Sequence, residues 1–279
     1  MTGSEFVQNL RDDPGLGQDR ARSARVSDYY LGGKSNYIVD RDAAHDVLAT
    51  FPAIEVAARV NRAYVHRVGR FLARQGVRQF VDVGIGMPIA PNFHEVVQAV
   101  APDATVVYVD NDPIVLVYAD ELEDDSPPEG ITRCVEADVT QPDELLAAVE
   151  GAGIDFGQPV ALGLHALMDF ILDDMHPYTI VSRLLGGLAP NSYLSLSHCT
   201  GDFAPEVWKA VTHTYEQHGI PVQARTEAEV LRFFRGLDFV DPGLAVAHRW
   251  RPEPVSGPSL VTDRQVSLYA GVAQKTTTP

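Results

Sequence analysis

The stretch Val81-Asp82-Val83-Gly84-Ile85-Gly86-Met87-Pro88 decides the fold. Apolar, β-branched residues run into a Gly-x-Gly turn, the pattern of a buried strand whose exit lets backbone come close to a ligand. A dinucleotide fingerprint would need a third glycine where Ile89 stands, and Pro88 and Pro91 delay the next helix. A pyrophosphate would therefore not meet a helix N-terminus directly after the glycines.

Outward from this turn the pattern alternates. Strand-like runs fall at 80–84, 105–110, 132–138, 159–166 and 193–198, with helical segments at 92–100, 113–122, 142–149 and 177–188 between them. Such alternation requires crossover connections, hence a parallel sheet covered on both faces. Pro142 followed by Asp143 and Glu144 suits a helix first turn, and Thr226 with Glu229 spells a capping box. Upstream, apolar spacing predicts a helix over 54–74, closed by Gly76. Near the end, strand-like runs at 244–250 and 265–272 have no helix between them, so they should pair antiparallel. Residues 1–22 are polar and aperiodic, the composition of a loose tail; 23–279 reads as one domain, with an N-terminal arm and helices over 23–76.

Composition narrows the function. The 279 residues are 45% hydrophobic with a net charge of −16. Arginines between Arg59 and Arg78 fall at helical spacing, as on a solvated helix face, so nucleic acid is not an expected partner. No apolar run approaches bilayer length, and the N-terminal stretch lacks a signal-peptide pattern, so no membrane association and a cytoplasmic setting are expected. Cys134 and Cys199 read as buried reduced thiols.

Three strand ends carry acids. Asp82 precedes Gly84 and Gly86; Asp110 ends the second strand beside Asn111; Asp138, followed by Val139, ends the third. An acid at the second position can accept both hydroxyls of an adenosine ribose. An acid at the third can accept from the adenine amine, and the next amide can donate to the ring. A carboxylate ~6 Å from a phosphate would cost about 3 kcal/mol at an effective dielectric of ~20. Asp82 thus favours the cationic cofactor S-adenosylmethionine (SAM) over a nicotinamide dinucleotide, the cofactor of the competing oxidoreductase reading.

Three stretches, ARVSDYYLGGKSNYIVDRDAA (24–44), VNRAYVHRVGRFLARQGVRQFVDVGIGMP (60–88) and APDATVVYVDNDPIVL (101–116), carry a resemblance. With APNSYLSLSH (189–198) and the closing strands, the chain resembles the actinobacterial S-adenosyl methyltransferase family, formerly a domain of unknown function. The resemblance implies a Rossmann-like class I methyltransferase sheet and cofactor binding by Gly84, Gly86, Asp110, Asn111, Asp138 and Val139, with S-adenosylhomocysteine (SAH) as product. It names no acceptor, and a non-catalytic SAM- or SAH-binding protein is the alternative. Where relatives tend to read Leu-His-Phe-Val-Pro-Asp, this chain has Met168-Asp169-Phe170-Ile171-Leu172-Asp173, with a histidine earlier at His165.

The remaining candidates follow from position. Leu31-Gly32-Gly33-Lys34-Ser35 is no phosphate loop, because Asp28 occupies the position of the required first glycine. Instead the arm, with Tyr29, Tyr30, Gly33, Lys34 and Asn36, is expected to fold over the cofactor as a lid. His165, Asp169, His198 and Tyr30 are the candidate bases for a small-molecule acceptor. His94-Glu95-Val96-Val97-Gln98 fails as a zinc helix, since Gln98 replaces the second histidine, and no metal is expected.

Overall fold

The computed structural model describes residues 17–253 and 261–276. Three helices lead: α1 (Ser23–Tyr30), α2 (Ile38–Thr50) and α3 (Ile54–Arg74). The alternation follows as β1 (Gln79–Val83), α4 (Phe93–Gln98), β2 (Thr105–Asp110), α5 (Pro113–Ala119), β3 (Ile131–Glu136), α6 (Pro142–Gly151), β4 (Ala161–His165), α7 (Pro177–Gly186) and β5 (Tyr193–Cys199). Then come α8 (Pro205–Gln217), α9 (Glu227–Leu231), β6 (Asp238–Phe239), β7 (Ala245–Val246), α10 (Asp263–Val266) and β8 (Leu268–Gln274).

The sheet order is β3-β2-β1-β4-β5-β8-β6, with β7 also on β8. Strands β1 to β5 are parallel, and β8 runs antiparallel to β5, β6 and β7. The two terminal runs pair antiparallel as expected, Ala245 opposite Ala270. From β1 the chain moves outward to β3 and then returns to β4 on the other side. Right-handed crossovers therefore put α4 and α5 on one face, α6 and α7 on the other. Helix α3 packs on α4, and α6 on α7.

Helix α3 spans the expected residues because Ala57, Tyr64, Val68 and Leu72 are buried at three-and-four spacing. Fully buried Trp250 meets the rings of Tyr64 and Phe71 edge-on, with centroids 5.3 and 5.9 Å apart. Burying such a ring stabilises by roughly 1.5–3 kcal/mol. Arg67 donates to the carbonyls of Ala247 (2.7 Å) and Trp250 (3.0 Å), which fastens the segment after β7 to α3.

The arm departs from a plain lid. Arg25 and Asp40, both wholly buried, pair at 3.1 Å and join α1 to α2. Asp40 also accepts from the Arg22 amide, and Arg25 donates to the carbonyls of Gly17 and Arg20. Residues 17–22 are thus tied down, and the rest of the expected tail, 1–16, lies outside the described residues. Cys134 and Cys199 are free thiols; Cys199 is buried and Cys134 half-buried. Among the described residues no helix is long and apolar enough to cross a membrane.

Candidate functional site

A parallel sheet leaves a crevice where its strand order reverses, at the carboxyl ends of β1 and β4. Here that crevice is a cavity of about 500 Å³, and residues just beyond β1 to β4, with Cys199 of β5, line it. One end is polar and the other apolar.

The polar end is built on the Gly-x-Gly turn. Gly84 and Gly86 take φ of +72° and +67°, a region that side-chain-bearing residues rarely adopt. Their roles differ. A Cβ on Gly84 would lie 2.7 Å from Leu167 Cδ1, so this glycine lets the turn pack on the loop after β4. A Cβ on Gly86 would meet nothing within 4 Å, so its backbone faces open cavity. The Gly86 amide donates to Asp110 Oδ2 (3.2 Å), while Oδ1 accepts from the Asp112 amide (2.9 Å). Burial raises the pKa of Asp110, and these amides partly offset the rise. Asn111 donates to Asp138 Oδ2 (3.4 Å), and Asp138 Oδ1 accepts from the Thr140 amide and hydroxyl, each at 2.8 Å.

Asp82, Gly84, Gly86, Asp110, Asn111, Asp138 and Val139, all singled out in the sequence, share this cavity. Gly33 and Lys34 do not line it, and Lys34 is exposed. Their loop is held instead by Asp28, whose Oδ2 accepts from the Ser35 amide (2.9 Å) and Asn36 Nδ2 (2.7 Å). Gly33 is needed there because a Cβ would fall 1.8 Å from Asp28 Oδ1. Asp28 itself lines the cavity, with its pKa raised by burial.

A buried polar chain starts at Asp82. Its Oδ1 is 3.1 Å from His165 Nδ1, His165 Nε2 is 2.8 Å from Ser195 Oγ, and Ser195 Oγ is 3.2 Å from the Tyr64 hydroxyl. Tyr64 in turn donates to the Gly271 carbonyl on β8 (2.8 Å). Both ring nitrogens of His165 are therefore engaged within the protein, although the residue lines the cavity.

Aromatic side chains form the apolar end: Phe170 after β4, Trp208 and Tyr215 on α8, and Tyr30 on α1. The Tyr30 and Tyr215 hydroxyls meet at 3.0 Å, and burial raises the pKa of both. Asp169 reaches this cavity, whereas His198 sits behind it, wholly buried and off the cavity wall. Asp169, His198 and Cys199 bring ligand-type atoms within 4.8 Å of one another. Arg225 donates into that cluster at His198, so Nε2 of that ring is already taken.

The polar end fits an adenosine-bearing cation. Open space over Gly86 admits a ligand against backbone, and the carboxylates of Asp82, Asp110 and Asp138 offer acceptors to a donor-rich, positively charged molecule.

The profile of the S-adenosyl methyltransferase family matches residues 11–276, and the chain belongs to that family. It is a SAM-dependent methyltransferase, which sets aside the nicotinamide reading. A DUF574 family protein from Streptomyces avermitilis is 41% identical, with a TM-score of 0.89 over 93% of this chain and 99% of that one. A protein from Thermobifida fusca, put forward as a methyltransferase, is 33% identical, with a TM-score of 0.87 over 95% of this chain and 98% of that one. An O-methyltransferase family protein from Burkholderia thailandensis shares the fold at 13% identity and a TM-score of 0.52, over 85% of this chain and 62% of that one. No curated protein matches the chain.

Proposed function

We propose that SAM lies across the Gly-x-Gly turn and that a small-molecule acceptor enters the apolar end of the same cavity. The observation that carries this reading is the Gly86–Asp110 contact beneath open space, at the reversal point of the sheet. Asp110, held by two amides, is oriented in advance to accept ribose hydroxyls. Asn111, Asp138 and Val139 take the adenine side, and Asp82, braced by His165, takes the methionyl side. Bound there, SAM supplies an electrophilic methyl group on a sulfonium.

The chain's own contribution is placement and exclusion of water, worth up to roughly 7–11 kcal/mol when reacting atoms are held in line. Of the four candidate bases, Asp169 is the one this reading assigns to the acceptor. Tyr30 and Tyr215 close the apolar end, and Gly33 and Lys34 belong to the outer arm. The reading takes 23–279 as one domain, supported by its continuous sheet. It includes a cytoplasmic setting, in keeping with two unpaired cysteines, and an actinobacterial source, in keeping with the Streptomyces and Thermobifida relatives.

Calorimetric titration tests it. SAH should bind in the micromolar range and NAD far more weakly; tight NAD binding with no SAH signal would overturn the site.

A further inference from the structure

We propose that the acceptor is an amine: a compact molecule with an apolar or aromatic body, whose nitrogen docks on Asp169. The inference rests on the SAM-site reading above, because Asp169 shares that cavity.

Asp169 stands in the short turn Met168–Phe170 that follows β4, and only 5% of it is exposed. Its Oδ1 accepts from the Cys199 amide at 3.1 Å and faces His198 Nδ1 at 3.0 Å. That histidine carries no charge. Its Nε2 lies 2.7 Å from Arg225 Nη1, and a guanidinium can only donate. Nε2 must therefore accept, which leaves the ring's single proton on Nδ1. Burial lowers the pKa of His198 in the same direction.

Nor is Arg225 free to answer Asp169. Its Nη2 and Nε contact Asp173 at 2.8 and 3.3 Å, and it also donates to the Met168 and Ile171 carbonyls, each at 2.8 Å. The hydrogen bond from Arg225 holds the Asp173 carboxyl below its usual range, the mark of a matched pair. Asp169 thus touches a neutral imidazole and not the guanidinium; burial raises its pKa, and the Cys199 amide and the more distant Arg225 charge only partly offset the rise.

Among the described residues no lysine lines the cavity; its arginines are Arg22, exposed on the arm, and Arg62, which turns its guanidinium to the Ile89 and Pro91 carbonyls. A cationic nitrogen would supply the missing charge, and the rings of Phe170, Trp208 and Tyr215 suit both an apolar body and a cation. A hydroxyl would donate a hydrogen bond but leave the carboxylate's charge unbalanced, and an acidic acceptor would be repelled. Asp169 takes one proton from the bound ammonium, which frees the nitrogen lone pair. That pair forms the N–C bond as the methyl–sulfur bond breaks, its electrons staying on sulfur, and the product leaves as a methylated ammonium.

Three probes on one scaffold test this in calorimetric titrations of the SAH-loaded protein: 2-phenylethylamine, 2-phenylethanol and phenylacetate. The amine should bind at least about tenfold more tightly than the alcohol, the range of a hydrogen bond to a charged group. Phenylacetate should bind more weakly still. In Asp169→Asn, SAH affinity should be retained and the amine preference lost. Alcohol or phenylacetate binding as tightly as the amine would overturn the inference, as would absent amine binding or a preference that survives in an SAH-competent Asp169→Asn. The wild-type comparison decides even where the variant fails to fold. A prior SAH titration separates the two readings: no SAH binding sinks the cofactor site, while SAH binding without amine preference sinks this inference alone.

Discussion

The guanidinium of Arg225 and the imidazole of His198 meet at 2.7 Å behind the cavity wall, and both are wholly buried. Arg225 also satisfies the carbonyls of Met168 and Ile171, so one side chain ties the turn after β4 to the end of β5. Removing one partner of a buried ionic contact costs about 3–5 kcal/mol. Because Asp173 is half exposed, Arg225→Met should fall near the lower end of that range in urea unfolding. A loss under about 1 kcal/mol would show that the cluster contributes little.

Asp110→Ala should weaken SAH binding on the order of a hundredfold, since hydrogen bonds to a charged group contribute about 1.5–3 kcal/mol each and two ribose contacts go. The change should also release Gly86, whose amide it holds. Calorimetry reads the affinity, and circular dichroism checks that the fold persists. An unchanged affinity would put the ribose elsewhere.

Neighbouring glycines in the arm should respond differently. A methyl on Gly33 would collide with Asp28 Oδ1 at 1.8 Å, and overpacking of this kind costs about 1–3 kcal/mol. Gly32 faces open space at φ +79°, where an alanine carries a backbone cost of about 1–2 kcal/mol. Gly33→Ala should therefore lower SAH affinity by displacing Asp28 from the cavity wall, and Gly32→Ala should leave it intact. Equal SAH affinities in the two variants would remove Asp28 from the site.

His66, on the cavity side of α3, gives a pH signature. Burial, with Arg62 and Arg70 nearby, lowers its pKa from 6.5 to about 4. The unfolded chain thus takes up the proton first as pH falls. The contribution to stability is fully present above pH 6.5 and is lost progressively toward pH 4. His66→Gln, which cannot titrate, should flatten the dependence of Tm on pH across that window. Parallel wild-type and variant curves would exclude the effect.

Much of this fold can be read from residue pattern. The limits of α3, the delayed start of α4 after Pro91, the capping box at Thr226 and the antiparallel closing strands follow from local spacing, and local chemistry holds them. Helix α8 escaped that reading, although Trp208, Val211 and Tyr215 recur at helical spacing and are buried. The way the arm is held was hidden for a different reason. Arg25, Asp28 and Asp40 look like surface residues, and only their three-dimensional pairing makes their burial tolerable. In the site, the acids on successive strand ends were legible because fold topology aligns them. The roles of His165, His198 and Asp169 were not, since they depend on Ser195 and Arg225, remote in sequence.

Strand β8 lies inside the sheet, between β5 and β6, and its Gly271 carbonyl receives the Tyr64 hydroxyl from α3. Val266, Ser267 and Leu268, at its leading end, complete the cavity wall. During synthesis, β1 to β5 can emerge and pair while the cavity still lacks this wall. The last strand must then enter a slot whose other side, β5, was made some seventy residues before, a long-range closure of the kind that slows folding. A chain cut short of β8 therefore lacks Leu268 from the cavity wall and the Gly271 carbonyl that anchors Tyr64, and its cavity stays open on that side.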